Sequence, residues 1–351
     1  MRYRVLGGTG LEVSAHCLGT MMLGSVGNPD HDDCVKIIHS ALDRGVNFVD
    51  TADMYSIGES EVITGKALAG RRDDVVLATK FHFPPHGQEG PNRGGNSRRW
   101  IVQAVEQSLR RLGTDWIDLY QVHRPDHRTD VEETLSALTD LVHQGKIRAF
   151  GCSSFPPSQV VAAHHVALDR GLMRFRTEQP PYSLLARGIE TELLPVCQQL
   201  GMGVLTWSPL ASGYLSGRIR KGREIDMTSG RAAITPFRFD PSIPENVAKL
   251  EKVEQLAAVA DDLGVTLPQL AVAFAAAHPG VTSVIIGPRT TEQLDGLLSG
   301  ADLLLDDAVL DRIDAIVAPG TDAYRADGAW QPQSLLDPAA RRRPVGERAA
   351  A

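Results

Sequence analysis

Short aliphatic runs alternate with amphipathic stretches along nearly the whole chain. The runs fall at residues 15–19, 48–50, 75–80, 117–123, 147–153, 175–179, 203–208 and 284–287. They are almost continuously apolar, as strands read when both faces of a parallel sheet are covered. Between them the apolar positions recur at helical spacing. In 32–44, Val35, Ile38, Ala41 and Leu42 share a face, and Gly45 follows as a stop. In 97–112 the same face carries Ile101, Val105, Leu109 and Leu112, ahead of Gly113. Residues 131–143 place Leu135, Leu138 and Leu141 before Gly145. Helices over 158–170, 190–200 and 244–263 end at Gly171, Gly201 and Gly264. A strand follows soon after each of the earlier stops, which is the rhythm of βα units.

Eight strands in strict alternation predict an α/β chain closed into a single (β/α)8 TIM barrel rather than an open sheet. A length of 351 residues would allow two domains. No composition break supports a second one. One barrel domain is therefore expected over 1–318, with a C-terminal tail over 319–351 that is partly loop or disordered. Residues 1–13 read as an N-terminal β-hairpin about the Gly7-Gly8-Thr9-Gly10 turn. Two long loops stand out. One is the Arg- and Gly-rich stretch 211–242, and the other is the glycine-rich stretch 84–96, a candidate lid.

Charge and composition narrow the function classes. With 36 basic and 43 acidic side chains the net charge is -7, which argues against a nucleic-acid partner. It leaves room for a small anionic ligand held by local cations. Cys17, Cys34, Cys152 and Cys197 form no CxxC pair and sit in apolar surroundings, so they read as buried free thiols. The first ten residues lack the apolar core of a signal peptide. The longest apolar run, 270–277, is far short of a membrane span. A cytoplasmic protein with no membrane partner is expected.

In such a barrel, function sits where the strands end. Those ends carry Thr20, Asp50, Lys80, His123, Ser153, Gln179, Ser208 (after Trp207) and Gly287. All but the glycine are polar. Only seven of the 36 basic side chains are lysines, and one of them ends a buried strand. A lysine there needs a counter-charge, and Asp50 ends the neighbouring strand. Tyr55 lies five residues on, with enough chain to turn back over the same mouth. A phenol beside an ammonium gives up its proton more readily, and His123 adds a neutral donor for a carbonyl oxygen. Asp50, Tyr55, Lys80 and His123 are therefore the candidate catalytic set, suited to protonating an alkoxide as it forms.

The segment Gly45-Val46-Asn47-Phe48-Val49-Asp50-Thr51-Ala52-Asp53-Met54-Tyr55 resembles the first signature of the aldo-keto reductase family. Ala78-Thr79-Lys80 and Gln121-Val122-His123 resemble the next two, and the likeness covers about residues 1–318. It implies the same catalytic four and a nicotinamide cofactor lying across the barrel mouth. No GxGxxG follows a strand, so a Rossmann site is not expected. The implied cofactor contacts begin with Gly19, Thr20, Met21 and Asp50. Ser153, Ser154 and Gln179 would hold the carboxamide, Ser154 standing where the family usually has Asn. Trp207 would stack on the nicotinamide. Ser208, Pro209, Leu210, Ser212 and Gly213 would approach the pyrophosphate. Ile286, Gly287, Arg289, Thr290 and Gln293 complete the set. A helix starting near Thr291 offers free N–H groups, and Arg289 is placed to grip a 2′-phosphate, which favours NADPH over NADH.

The resemblance implies reduction of a small-molecule aldehyde or ketone. Pocket walls are expected from Met22, Phe81, His82, Phe83 and the 84–96 loop, together with the 211–242 loop and the tail. Other readings of the same residues exist. They are a class I aldolase using Lys80 as a Schiff-base amine, a cofactor-binding regulatory subunit with little turnover, and a metal hydrolase using Asp50, Asp53 and His123. Paired-histidine ligand spacing is absent, so no metal is expected.

Overall fold

The computed structural model describes residues 1–84, 87, 89–228, 230–328 and 337–348. It begins with an antiparallel hairpin of β1 (Tyr3–Val5) and β2 (Glu12–Ser14). Eight parallel strands follow: β3 (His16–Gly19), β4 (Phe48–Asp50), β5 (Val76–Phe81), β6 (Ile117–Val122), β7 (Ile147–Ser153), β8 (Thr177–Gln179), β9 (Gly203–Thr206) and β10 (Ser283–Ile286). They pair in chain order, and β10 returns to β3 with Val284 opposite His16, closing the barrel.

Helices cover the outside of the barrel. α1 (His31–Asp43) starts at Asp30, whose side chain accepts the Asp33 N–H. α2 (Glu59–Leu68) precedes α3 (Arg98–Leu112), which is capped by Ser97 and stopped by left-handed Gly113. α4 (Val131–His143), α5 (Pro157–Asp169) and α6 (Leu193–Gln199) continue the ring. α7 (Gly230–Ile234) lies within the long loop after β9. α8 (Pro244–Asp262), α9 (Leu267–Ala277), α10 (Thr291–Leu298) and α11 (Asp307–Ile316) complete the order. Among the described residues no single helix is long and apolar enough to cross a membrane.

Several helices were not expected or were misjudged in extent, α7 and α11 among those not expected. α2 buries Ser60, Glu61 and Thr64 beside Ile63 and Ala67, so it has no clean apolar stripe. α9 buries seven of its eleven residues and reads only as an apolar run. α6 starts at Leu193 rather than residue 190. Glu190 instead ends a separate 3-10 turn, Gly188–Glu190, and its carboxylate accepts from Tyr182 Oη at 2.6 Å, Arg187 Nε at 2.9 Å and the Gly320 N–H at 2.9 Å.

Side chains alternate in direction along each strand, and this decides what faces the barrel axis. One interior layer consists of Cys17, Phe48, Ala78, Leu119, Ala149, Leu205 and Ile285, packed with Leu6 and Val13 of the hairpin. Two residues further along the same strands stand Gly19, Asp50, Lys80, Gln121, Gly151, Trp207 and Gly287. Period two thus carries an apolar plug into a polar mouth. The hairpin closes the opposite end. Gly7 (φ 45°) sits so close that a Cβ there would lie 2.0 Å from Arg176 O and 2.4 Å from Gly203 N. Gly7→Ala is expected to destabilise the fold by about 3 kcal/mol, the sum of left-handed strain and overpacking. Urea unfolding measures this, and an unchanged midpoint would contradict the close hairpin contact.

The first residues of the tail dock on the barrel. Ala323 N donates to Leu185 O at 2.8 Å, and Asp322 accepts the Gly188 N–H at 2.8 Å. The fully buried Lys249 ammonium meets Asp327 at 2.8 Å and lies over the rings of Tyr214 and Tyr324. Residues 329–336 and 349–351, and residues 85, 86 and 88 of the candidate lid, lie outside the described residues.

Candidate active site

β4 and β5 are neighbours, with Asp50 opposite Ala78, which sets Asp50 and Lys80 side by side at the mouth. Lys80 Nζ donates to Asp50 Oδ2 at 2.6 Å, to Thr51 O at 2.7 Å and to Tyr55 Oη at 3.2 Å. The lysine is wholly buried. Burial works against its charge, yet Asp50 and then Tyr55 outweigh that and hold the ammonium above its ordinary pKa. The other oxygen of Asp50 accepts amide N–H bonds from Gln179 at 2.9 Å and Gln121 at 3.4 Å.

Tyr55 reaches the mouth through a strained turn. Ser56 (φ 47°), Ile57 (φ 60°) and Gly58 (φ 87°) are all left-handed. A left-handed L-residue costs roughly 1–2 kcal/mol, and a β-branched one is an outlier. The run reverses the chain between β4 and α2 and leaves Ile57 65% exposed. His123 follows β6, and its N–H bonds Phe81 O at 2.9 Å, continuing the ladder. Its ring stands edge-on to Tyr55, with centroids 6.0 Å apart, and to Phe83 at 5.2 Å. Burial, and after it the charges of Lys80 and Arg124, hold the imidazole pKa well below its usual value. His123 is therefore neutral at neutral pH.

The next strands supply a polar rim. Ser153 Oγ donates to Gln179 O at 2.9 Å, and Trp207 Nε1 donates to the same oxygen at 3.1 Å. Ser154 (φ 58°) and Ser208 (φ 60°) are left-handed, as are Ala211, Ser212 and Gly213. Ser212 N donates to Ser208 Oγ at 3.0 Å, which winds this loop tightly after Pro209 and Leu210. Gly19 and Gly287 lie side by side, a Cβ on the latter falling 4.0 Å from Gly19 O. At the start of α10, Thr290 accepts the Gln293 N–H at 3.3 Å and Gln293 Oε1 accepts the Arg289 N–H at 2.8 Å. Asn28 donates to Arg289 O at 3.0 Å and ties this corner to the first loop.

Several expected residues face elsewhere. The Ile286 side chain points into the core under the helices, because Ile285 takes the inward position; only its backbone borders the mouth. Phe81 likewise alternates with Lys80 and stacks on Tyr120 at 4.7 Å, so it walls no pocket. The Thr20 hydroxyl pairs with Ser60 Oγ at 2.8 Å inside the protein. Asp53 has an orphaned buried oxygen, and burial followed by Glu61 pushes its carboxyl well above the usual range. Among the described residues no group of three or more His, Cys, Asp or Glu side chains is placed to hold a metal ion.

Two arginines at the mouth carry no motif in the sequence. Arg124 Nη1 donates to His123 O at 2.6 Å and to Ser154 Oγ at 3.3 Å. Arg231 of α7 reaches across the mouth, where its Nη2 meets Met21 Sδ at 3.1 Å. Burial, and then Arg238, lower its pKa while Tyr55 raises it. The only hint of Arg231 was the richness of its loop in arginine.

An eight-stranded parallel barrel with a buried Asp–Lys pair, a tyrosine and a neutral histidine at its C-terminal mouth defines a class of barrel oxidoreductases. The aldo/keto reductase family model matches residues 16–318, and the chain belongs to that family. It is 39% identical over 340 residues, covering 94% of this chain and 100% of the relative, to an "uncharacterized oxidoreductase" of Bacillus subtilis (strain 168). It is 38% identical over 326 residues, covering 90% and 97%, to a "probable voltage-gated potassium channel subunit beta" of Arabidopsis thaliana. A protein of the same printed name from Oryza sativa subsp. japonica is 37% identical over 337 residues, covering 93% and 100%.

Proposed function

We propose that the chain reduces aldehyde or ketone groups to alcohols with NADPH as reductant. One observation carries the reading: the Lys80 ammonium joins the Asp50 carboxylate to the Tyr55 hydroxyl at 2.6 and 3.2 Å. The bound cofactor supplies the hydride. Tyr55 then gives the proton of its Oη to the carbonyl oxygen, and Lys80 favours the negative charge left on that atom. Neutral His123 orients the carbonyl oxygen as an uncharged donor. Asp50 keeps Lys80 charged and fixed, which speaks against a Schiff-base role for the lysine.

The residues at the mouth fit a dinucleotide. Arg231 is a half-buried guanidinium whose described side-chain partner is a thioether, and a phosphate would satisfy it. Ser153, Ser154 and Gln179 would hold the carboxamide, and Trp207 the nicotinamide face. The tight loop 208–213 would approach the pyrophosphate, and Arg289, Thr290 and Gln293 the 2′-phosphate. Arg289→Ala is expected to raise the NADPH Kd about tenfold or more, the worth of a charged hydrogen bond, and to leave the NADH Kd unchanged. Equal losses for both cofactors would contradict the assignment.

Turnover of a panel of carbonyl compounds, followed by NADPH oxidation, tests the whole reading. The names of the plant relatives favour one rival, a cofactor-binding channel subunit with slow chemistry. Tight NADPH binding without oxidation on any carbonyl would select that rival.

A further inference from the structure

Glu178 precedes Gln179 in β8, and the two side chains leave the strand on opposite sides. Gln179 faces the mouth and Asp50. Glu178 is fully buried, and the catalytic cluster makes no use of it. Its Oε1 accepts the Phe155 N–H at 3.1 Å, and its Oε2 is buried without a hydrogen-bond partner. Phe155 lies in the turn that leaves β7, where Ser154 is left-handed at φ 58°. Arg124 grips the same turn elsewhere, through Ser154 Oγ at 3.3 Å.

We propose that Glu178 is a positioning residue for the cofactor: its carboxylate holds the 153–155 turn in the shape that presents Ser153 and Ser154 to the nicotinamide carboxamide. This rests on the cofactor reading above and deepens it. A left-handed serine persists only where its surroundings over-determine it. A charged acceptor holds a backbone N–H about twice as strongly as a neutral one. The hold on the turn therefore depends on the charge of Glu178.

That charge changes near neutrality. Burial pushes the carboxyl up to about 7, opposed by Cys152, the Phe155 and Ser154 N–H groups and Arg124. The groups facing it are Cys152 on β7, Cys197 on α6 and Arg124 after β6. Burial raises both thiols, so they stay protonated, and the guanidinium keeps its charge. Glu178 alone in this group titrates there. Above about 7 it is ionised and grips the turn; below, it is neutral and the grip weakens.

Calorimetry of NADPH binding to the wild type and Glu178→Gln, at about pH 6 and about pH 8, tests this. The 2′-phosphate titrates alike with both proteins, so the difference between their profiles isolates Glu178. At the higher pH, E178Q is expected to bind about fivefold more weakly than wild type, and at the lower pH equally. Binding with the same pH profile in both overturns the inference and leaves the cofactor reading standing. Absence of NADPH binding to wild type overturns both. Should E178Q fail to fold, NADH, which lacks the 2′-phosphate, is titrated into wild type near pH 7 in two buffers of different ionisation enthalpy. Proton release supports the inference, and none overturns it.

Discussion

Tyr55→Phe is expected to lower kcat roughly a hundredfold to ten-thousandfold, the usual worth of a positioned general acid, with NADPH affinity unchanged. The substitution removes one oxygen. Among the described residues that oxygen meets only Lys80 Nζ, at 3.2 Å. The ring stays, and so do its edge contact with His123 at 6.0 Å and the ammonium 4.8 Å from its centroid. Lys80 keeps Asp50 and Thr51 O as partners, so no buried charge is stranded. Stability should therefore move little while chemistry stops. Single-turnover rates with saturating NADPH make the measurement, because they separate the chemical step from cofactor binding. A rate within about threefold of wild type would place the proton donor elsewhere.

The fold was legible because βα units punctuate themselves. Gly45, Gly113, Gly145, Gly171, Gly201 and Gly264 all have positive φ at or just past helix ends. What escaped has a physical reason in each case. α2 is capped by Gly58 at the end of a left-handed run and buries polar residues against β5 and α3: Thr79 Oγ1 donates to Glu61 at 2.6 Å, and so does Arg111 Nε. A helix held partly by buried hydrogen bonds leaves no stripe to read. The hairpin turn was legible at Gly7, but its role as a plug depends on contacts with Arg176 and Gly203, which no local pattern encodes.

The site divides along the same line. Asp50, Lys80, Gln179 and Trp207 were legible because strand ends and period two fix their direction once the strands are known. Phe81 was misplaced where that alternation was not applied, and the same alternation leaves Ile286 only its backbone at the mouth. Arg231 stands in a short helix inside a long loop, and its placement over Met21 follows from tertiary packing alone. Glu178 reads as an ordinary polar residue in a strand. Only its burial and its bond to Phe155 set it apart.

Lys80→Met should give the largest loss of stability, about 3–5 kcal/mol, besides abolishing turnover. The methionine fills much the same volume but leaves Asp50 buried without its counter-ion. The amides of Gln179 and Gln121, at 2.9 and 3.4 Å, satisfy one carboxylate oxygen and cannot neutralise its charge. Adding Asp50→Asn removes that charge and should recover most of the lost stability without restoring turnover, since Tyr55 still lacks its cation. The pair is thus predicted to be near neutral for folding as a unit and indispensable as a unit for chemistry. Urea unfolding of wild type, the single variants and the double variant gives the coupling directly. If Lys80→Met unfolds at the wild-type midpoint, or if the double variant is no more stable than it, then the buried Asp50–Lys80 contact does not stabilise the barrel mouth as the 2.6 Å geometry requires.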